Sequence, residues 1–508
     1  MAKIKSGAAW ALATVEEFPG IRNDPDSPSR GATEIVNFRI REDGSLEKRS
    51  GWRLHRRFPA TIRALWKGSL DNTSVVFAVA ASSVYRWDES SQDLTLVRTI
   101  GTSSGNATFI PYMDTLLLID GNAIYRYSKS QESFIKAFGY VPLVGKDWHP
   151  VSGGEWAEAR NLLTNYYRIT YQNPGGYADY YLPYPASLIR VWVNGVEVFT
   201  HSFTSGDRRF SLSTSIVGEV SVLALATDDS MAARIHTASR GILFEDGKHD
   251  ALLLGGGGCG YHVFASSPVS EASYAEACAK LEESDRLYFP TESLLFLGDA
   301  EHPVTAFCKY HGRVIAFNSE TAWSIGYGSD TSYLPNVLPI HNAVGCDENG
   351  TVTAVDDAIL LSNRNGIWSV RASVAYPEEW TVREHSGPIR RSDLRFLAES
   401  NALSGFPSIV NTGSETLAKR KDGCGSIRST GRNGIRLTTS THCSSFVTTE
   451  SSHSFPTAIS ACWRRTCAQT TRPSPSRPTT RADIFRSRVP QRPSASCVRF
   501  SRLAKAQA

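Results

Sequence analysis

The chain has 508 residues, 41% hydrophobic and 20% charged, with 39 Gly and 24 Pro. That length allows two to four domains, each able to bury its own core. No segment approaches the roughly 18–20 consecutive apolar residues of a membrane-spanning helix, and no membrane insertion is expected. The start, Met1-Ala2-Lys3-Ile4-Lys5, is followed by an apolar run from Ala8 to Val15 that ends in Glu16-Glu17 without a small-residue cleavage site. A signal peptide is therefore not expected.

The net charge of +4 hides an asymmetry. Residues 421–508 carry +12, which leaves −8 on the first 420. Four of the nine cysteines (Cys259, Cys278, Cys308, Cys346) lie in the acidic part, far apart and without ligand spacing, and are read as free thiols of a reducing compartment.

In chain order, residues 1–59 form an N-terminal attachment segment. Within it Glu34 to Trp52 reads as a strand, a Glu42-Asp43-Gly44 turn and a second strand. From residue 60 to 385 the pattern is strand, turn, strand, with runs of four to six Val, Ile, Leu and aromatic residues broken by Asp, Asn, Ser and Gly.

Four hairpins look alike. Val76–Val79 leads to Val84-Tyr85-Arg86-Trp87, and Leu116–Ile119 leads through Asp120-Gly121-Asn122 to Ile124-Tyr125-Arg126-Tyr127. Val314–Phe317 leads through Asn318-Ser319-Glu320 to Ala322-Trp323, and Ile359–Leu361 leads through Ser362 to Gly366 to Ile367-Trp368. Tyr85 and Tyr125 are 40 residues apart, Trp323 and Trp368 45. A strand repeat of that length predicts propeller blades, and ordinary hairpins in a sandwich are the competing reading. The expected fold is all-β: a β-propeller-like body (60–159 and 230–385), an inserted small β-sandwich (160–229) and a low-order C-terminal region (386–508). The insert is signalled by Tyr166–Tyr171, by Asn194-Gly195 between alternating residues, and by Val220–Ala226. One helix is predicted over Glu271–Leu287, capped by Ser270 and ended before Pro290.

Beyond about residue 421 the alternation fades, and 40 of 88 residues are Ser, Thr or Arg. A disordered basic tail binding nucleic acid through phosphate contacts and a Ser/Thr/Pro stalk are two readings. The favoured one is a shifted reading frame, since out-of-frame translation of a GC-rich gene yields Arg, Ser, Pro, Thr and Cys together; the break would fall between about 386 and 425.

Chemical motifs are weak. Leu252 to Gly260 superficially resembles a phosphate loop, but no Lys-Ser/Thr follows, so a connecting loop is expected. Asp246, His249 and Asp250 read as a solvated turn rather than a metal site. Asp114, Asp356 and Asp357 are turn-making acids. The Ser362–Trp368 hairpin is similar to the Asp-box of sialidase-like propellers, but the central Asp is replaced and the Trp spacing is one residue short. No catalytic, metal or cofactor residues are assigned, and no enzyme activity is expected.

The N-terminal pattern, with Asn37, Gly44, Lys48, Arg49 and Gly51, resembles that of bacteriophage tail-nozzle and packaged-DNA-stabilisation proteins. Tyr288-Phe289-Pro290, Gly298-Asp299, Pro303–Phe307 and Tyr310 to Trp323 are similar to a mid-chain blade of the same virion proteins. The two stretches cover some 60 residues, and the family's usual C-terminal β segments have no counterpart here. The resemblance implies a non-enzymatic structural role at the tail or head–tail junction, in the virion and, during assembly, the host cytoplasm. It implies a homo-oligomeric ring, expected as a hexamer, with portal, adaptor or other tail proteins and non-specifically held packaged DNA as partners. Asn37, Gly44, Lys48, Arg49, Gly51, Tyr85, Tyr125, Trp323 and Trp368 are then structural motif residues. The alternative is a glycan-binding or sialidase-like propeller acting on surface carbohydrate, with Tyr177, Tyr180, Tyr181 and Tyr184 as a stacking platform.

Overall fold

A computed structural model describes Arg22, residues 32–36, 38–41 and 43–48, and residues 56–387 apart from 71, 228–229, 246–249, 328–334, 348, 356 and 374–378. Past 387 it describes only the backbone of seven strands between 407 and 500. By internal contacts the chain divides into two units, one holding 1–55, 364–368 and 384–508, the other 56–363 and 369–383.

In the first unit, β1 (Ala32–Val36) precedes a hairpin of β2 (Phe38–Ile40) and β3 (Leu46–Lys48), paired Phe38 to Lys48 and Ile40 to Leu46. Its turn is fixed locally. Asp43 accepts from the Ser45 amide and hydroxyl, and Gly44 takes φ 79°, where a Cβ would be strained.

Five four-stranded antiparallel meanders recur among the described residues. Blade 1 holds β4 (Ile62–Leu70), β5 (Thr73–Ala80), β6 (Ser83–Trp87) and β7 (Leu94–Thr99). Blade 2 holds β8 (Thr108–Tyr112), β9 (Thr115–Ile119), β10 (Ile124–Ser128) and β11 (Ser133–Lys136).

The chain then leaves for a two-sheet sandwich. Strands β12 (Leu143–Trp148), β13 (Tyr166–Asn173), β14 (Asp179–Tyr181), β15 (Ala186–Val193), β16 (Val196–Val198), β17 (His201–Phe203), β18 (Arg209–Leu212) and β19 (Gly218–Ala226) form sheets of order β12-β13-β19-β15-β16 and β14-β18-β17. The insert thus begins at 143, not 160. Sequence alternation missed β12 because Leu143–Trp148 pairs in parallel with β13 through two register shifts. Tyr167, Ile169, Tyr171, Val191, Val220 and Val222 of one sheet and Tyr180, Phe210 and Leu212 of the other share one core. Each such side chain contributes about 1.5–3 kcal/mol when buried. Asn194 (φ 47°) and Gly195 (φ 82°) make the two-residue turn between β15 and β16.

After α1 (Ser230–Ile235) come blade 3, with β20 (Arg240–Glu245), β21 (Asp250–Gly255), β22 (His262–Ala265), α2 (Glu271–Lys280) and β23 (Leu294–Phe296), and blade 4, with β24 (Ala306–Tyr310), β25 (Arg313–Phe317), β26 (Ala322–Gly326) and β27 (Asn336–His341). Blade 5 holds β28 (Thr353–Val355), β29 (Ala358–Asn363), β30 (Gly366–Ala372) and β31 (Trp380–Glu384). The first strands adjoin in succession, β4 to β8, β8 to β20, β20 to β24 and β24 to β28. That is the neighbour order of propeller blades.

The helix is shorter than predicted. Ser270 caps it through the Ser273 amide (3.1 Å), but it ends at Lys280 and Leu281 is extended. Continuation would have placed Glu282, Glu283 and Asp285 at a C-terminus whose dipole disfavours anions. Asp285 instead turns inward. On one side α2 seats on the sandwich: Lys280 Nζ lies 4.1 Å from the Trp192 ring centre and donates to Ser221 Oγ at 3.2 Å.

Beyond 387 the strands are β32 (Pro407–Val410), β33 (Gly413–Arg420), β34 (Gly423–Thr430), β35 (Gly434–Ser440), β36 (Val447–Thr448), β37 (Ile459–Ser460) and β38 (Cys497–Phe500). Six strands pair in the order β32-β33-β34-β35-β1-β38. These seven strands fall in the span read from sequence as irregular; apart from Ser386 and Gly387, the rest of that span lies outside the described residues.

Candidate functional site

The first strands of the blades begin at one end, and the segments leading into blades 2 to 5, with turns of blades 2 and 3, line an open cleft of about 450 Å³ there. Thr102, Ser104 to Asn106, Asp120-Gly121, Ser239-Arg240, Gly257, Pro303 to Thr305 and Asp347 line it. Its walls combine the charged Asp120, Arg240 and Asp347 with small polar residues, glycines, Pro303 and Val304.

Each junction between blades is fastened at this end by a polar staple. From blade 1, the Arg63 guanidinium donates to the carbonyls of Ala81 (2.9 Å), Thr102 (2.7 Å) and Gly105 (3.0 Å) and to Thr102 Oγ1 (2.8 Å). Thr108 of blade 2 donates to the Ser239 carbonyl ahead of blade 3 (3.0 Å). Arg240 of blade 3 donates through Nε to the Thr305 carbonyl ahead of blade 4 (3.0 Å). Thr305 in turn donates to the Cys346 carbonyl ahead of blade 5. Burial pushes the Arg63 pKa down, partly offset by the nearby Asp120 carboxylate.

A second recurring element sits where the second strand of a blade ends. Asp120 Oδ1 accepts from the amides of Asn122 (3.0 Å) and Ala123 (2.8 Å), closing the turn to β10. Asn318 Oδ1 does the same for Glu320 and Thr321 ahead of β26. Asn363 ends β29 and donates to the Gly345 carbonyl (2.9 Å). All three are buried, and the amides that Asp120 and Asn318 satisfy would otherwise be orphaned. Asp120 Oδ2 also accepts from Thr102 Oγ1 (3.0 Å), so the carboxylate is held on both oxygens. A general acid or base needs an oxygen aimed at a substrate proton. This one is spent on the turn and the junction.

Among the sequence-derived motif residues, Tyr85, Tyr125, Trp323 and Trp368 occupy strands, and none of these four lines the cleft. Tyr85 lies on β6 opposite Ala78, Tyr125 on β10 opposite Leu118, Trp323 on β26 opposite Ala316, and Trp368 on β30. Each marks the third strand of its blade. Tyr125 is buried, and its hydroxyl accepts from the Gly101 amide at the junction of blades 1 and 2 (3.4 Å). Gly44 and Lys48 lie in the N-terminal hairpin, Gly44 in its turn and Lys48 at the end of β3. Asn37, Arg49 and Gly51 lie outside the described residues, as do Asp246, His249 and Asp356. Asp250 begins β21, Asp114 sits in the turn between β8 and β9, and Asp357 accompanies Arg371 as an exposed ion pair at 2.8 Å. Among the described residues no group of three or more His, Cys, Asp or Glu could hold a metal ion.

The glycine run lies inside blade 3, not between blades as expected. It forms a single 3₁₀ turn, Gly257–Cys259, between β21 and β22, and a Cβ on Gly257 would meet the Thr237 carbonyl at 2.6 Å. Tyr180, one of the four tyrosines considered as a platform, is fully buried against Phe210, whereas Tyr177 and Tyr181 are exposed. The sequence reading missed the staples: Arg63, Thr102, Arg240 and Thr305 form no motif. The signal within reach was the Asx residue at the end of the second strand in blades 2, 4 and 5. Among the described residues no helix is long and apolar enough to cross a membrane. No protein-family model and no curated protein matches this chain.

Proposed function

We propose that the chain is a non-enzymatic structural subunit of a bacteriophage virion, placed at the tail or head–tail junction and assembling as a ring that holds or conducts DNA. The observation that carries this reading is the use of the polar groups around the inter-blade cleft. Asp120, Thr102, Arg63, Arg240 and Thr305 bond to turns and to neighbouring blades, as a rigid scaffold requires. The N-terminal and mid-chain motifs point the scaffold to the virion proteins they resemble. On this reading the blades close into a propeller, β28 meeting β4. The excess of acids before residue 421 suits a wall along which DNA slides, since like charge weakens phosphate contact.

The test is peptide mass spectrometry on particles purified from the source culture. Peptides from 1–385 in intact particles are the expected result, and their absence would overturn the virion reading. Electron microscopy of the purified chain tests the ring separately. The expected class averages show a closed ring with a central channel. A particle that stays monomeric alone and with its virion neighbours would sink the ring.

A further inference from the structure

The three-stranded sheet of the inserted sandwich has two faces with different chemistry. Register pairs Asp179 with Ser211, Tyr180 with Phe210 and Tyr181 with Arg209. Tyr180 and Phe210 point inward and stack at 5.0 Å, so Asp179, Tyr181, Arg209 and Ser211 stand on the outer face. There Arg209 bonds Asp179 at 2.9 Å, and Ser211 donates to the other carboxylate oxygen. These two partners hold the Asp179 pKa below its usual range.

Exposed rings lie on β14 and on the segments attached to it. Tyr181 is 43% exposed, and its amide donates to the Pro150 carbonyl (3.0 Å), which lays the loop 149–156 alongside. His149 in that loop packs on Tyr177, itself 40% exposed, at 4.9 Å. At the end of the loop Trp156 is 59% exposed, yet Trp148 and Tyr184 hold its ring at 5.2 and 5.8 Å. Rings displayed to water but fixed by their neighbours forfeit burial while losing rotamer freedom, which marks a binding surface.

The chemistry of the face selects the occupant. Arg209 and Asp179 neutralise each other, so the pair offers no net charge to attract a polyanion. It still offers fixed donors and acceptors beside flat apolar rings. A ligand that matches both has an apolar C–H face and a rim of hydroxyls that donate and accept. We propose that the outer face of β14 and β18, with Tyr181, Arg209, Asp179 and Trp156 of the attached loop, binds a neutral saccharide. This site is on the inserted sandwich and is independent of the propeller's structural role.

The experiment presents the full chain to an immobilised panel of neutral oligosaccharides built from hexoses, N-acetylhexosamines and deoxyhexoses, with heparin as the polyanion. At least one neutral member is expected to bind. Tyr181→Ala and Trp156→Ala are each expected to weaken that binding about tenfold or more, the effect of losing roughly 1.4 kcal/mol of contact. Tyr181→Phe should retain it, as should Leu96→Ala, an exposed residue of blade 1. Arg209→Gln supplies a second probe of the polar half, and melting curves check that each variant is folded. Failure of every neutral member to bind, binding of heparin alone, or parent-like binding by both alanine variants would overturn the proposal.

Discussion

Arg63 and Thr102 lie 39 positions apart, and the Arg63 guanidinium grips both the Thr102 carbonyl (2.7 Å) and its hydroxyl (2.8 Å). The same hydroxyl donates to Asp120 in the second blade. One buried cation thereby couples the start of blade 1, the connection to blade 2 and the turn that closes β9 and β10. Propeller blades meet mainly through apolar faces, which resist separation but allow sliding. A fork of directed bonds fixes the relative register.

Removing that fork takes the donor from the Ala81, Thr102 and Gly105 carbonyls and from the Thr102 hydroxyl. Arg63→Ala is expected to cost about 2–4 kcal/mol, the penalty for breaking hydrogen bonds to a charged group and orphaning its partners. Arg63→Lys should recover less than half, because an ammonium cannot span the positions of Nε, Nη1 and Nη2 at once. The midpoint of the urea transition followed by tryptophan fluorescence reads both. A parent-like midpoint for the alanine variant would show that the apolar faces alone align the blades.

Gly345 is a site where one carbon is decisive. A Cβ there would fall 2.3 Å from both the Asn318 carbonyl oxygen and the Glu320 amide nitrogen. These are backbone atoms of a turn that Asn318 already closes, so they cannot swing aside. Gly345→Ala should cost about 1–3 kcal/mol by overpacking. At Gly195, by contrast, a Cβ meets nothing within 4 Å, and the cost of alanine is conformational, about 1 kcal/mol from the positive φ. Thermal melts of the two variants should rank in that order.

Much of this architecture was legible locally. Hairpins such as Leu116 to Tyr127 declare themselves because alternation and an Asp-Gly turn are properties of adjacent residues, and Asn194-Gly195 needs only its own two positive φ angles. Blade 3 was opaque, since α2 and its flanking turns separate β22 from β23 and break the repeat length. The staples were opaque for another reason. Nothing around Arg63 distinguishes it from a surface arginine until residues 81, 102 and 105 arrive. Likewise Tyr180 and Tyr181 read alike in sequence, and only the pleat decides which is buried.

The reading of free thiols carries its own check. Cys259, Cys278 and Cys308 form no disulfide, and burial pushes the Cys259 and Cys308 thiols up to about 12. Thiolate is the reactive form, so these two should be nearly inert to iodoacetamide at neutral pH. Cys278, only partly buried on α2, should be alkylated first. Peptide mapping after timed labelling gives the order. Early modification of Cys308 would mean that blade 4 opens readily in the native state.

Asp285 supplies the pH dependence. It is buried where blade 2 leaves for the sandwich, accepting from the Phe138 and Leu287 amides (2.9 Å each), with Arg126 Nε 3.5 Å away. Burial is the larger influence and raises its pKa above the ordinary 3.8, despite those donors. The sign is opposite to that of a salt-bridged carboxylate. Between 3.8 and the raised native value the folded chain binds the extra proton, so Asp285 favours folding at the acid end of that window. The contribution is lost as pH rises through the native pKa. Exposed carboxylates such as Asp43, Asp88 and Asp299 have lowered pKa values and slope the other way, so the parent curve alone is ambiguous. The informative quantity is the difference between the parent and Asp285→Asn, whose amide cannot titrate. Stability of the parent relative to the variant should fall with rising pH by up to about 1.4 kcal/mol per unit inside the window, and level off above it. A flat difference from pH 4 to 8 would mean that Asp285 titrates as an ordinary carboxylate and that the Phe138 and Leu287 amides offset its burial in full.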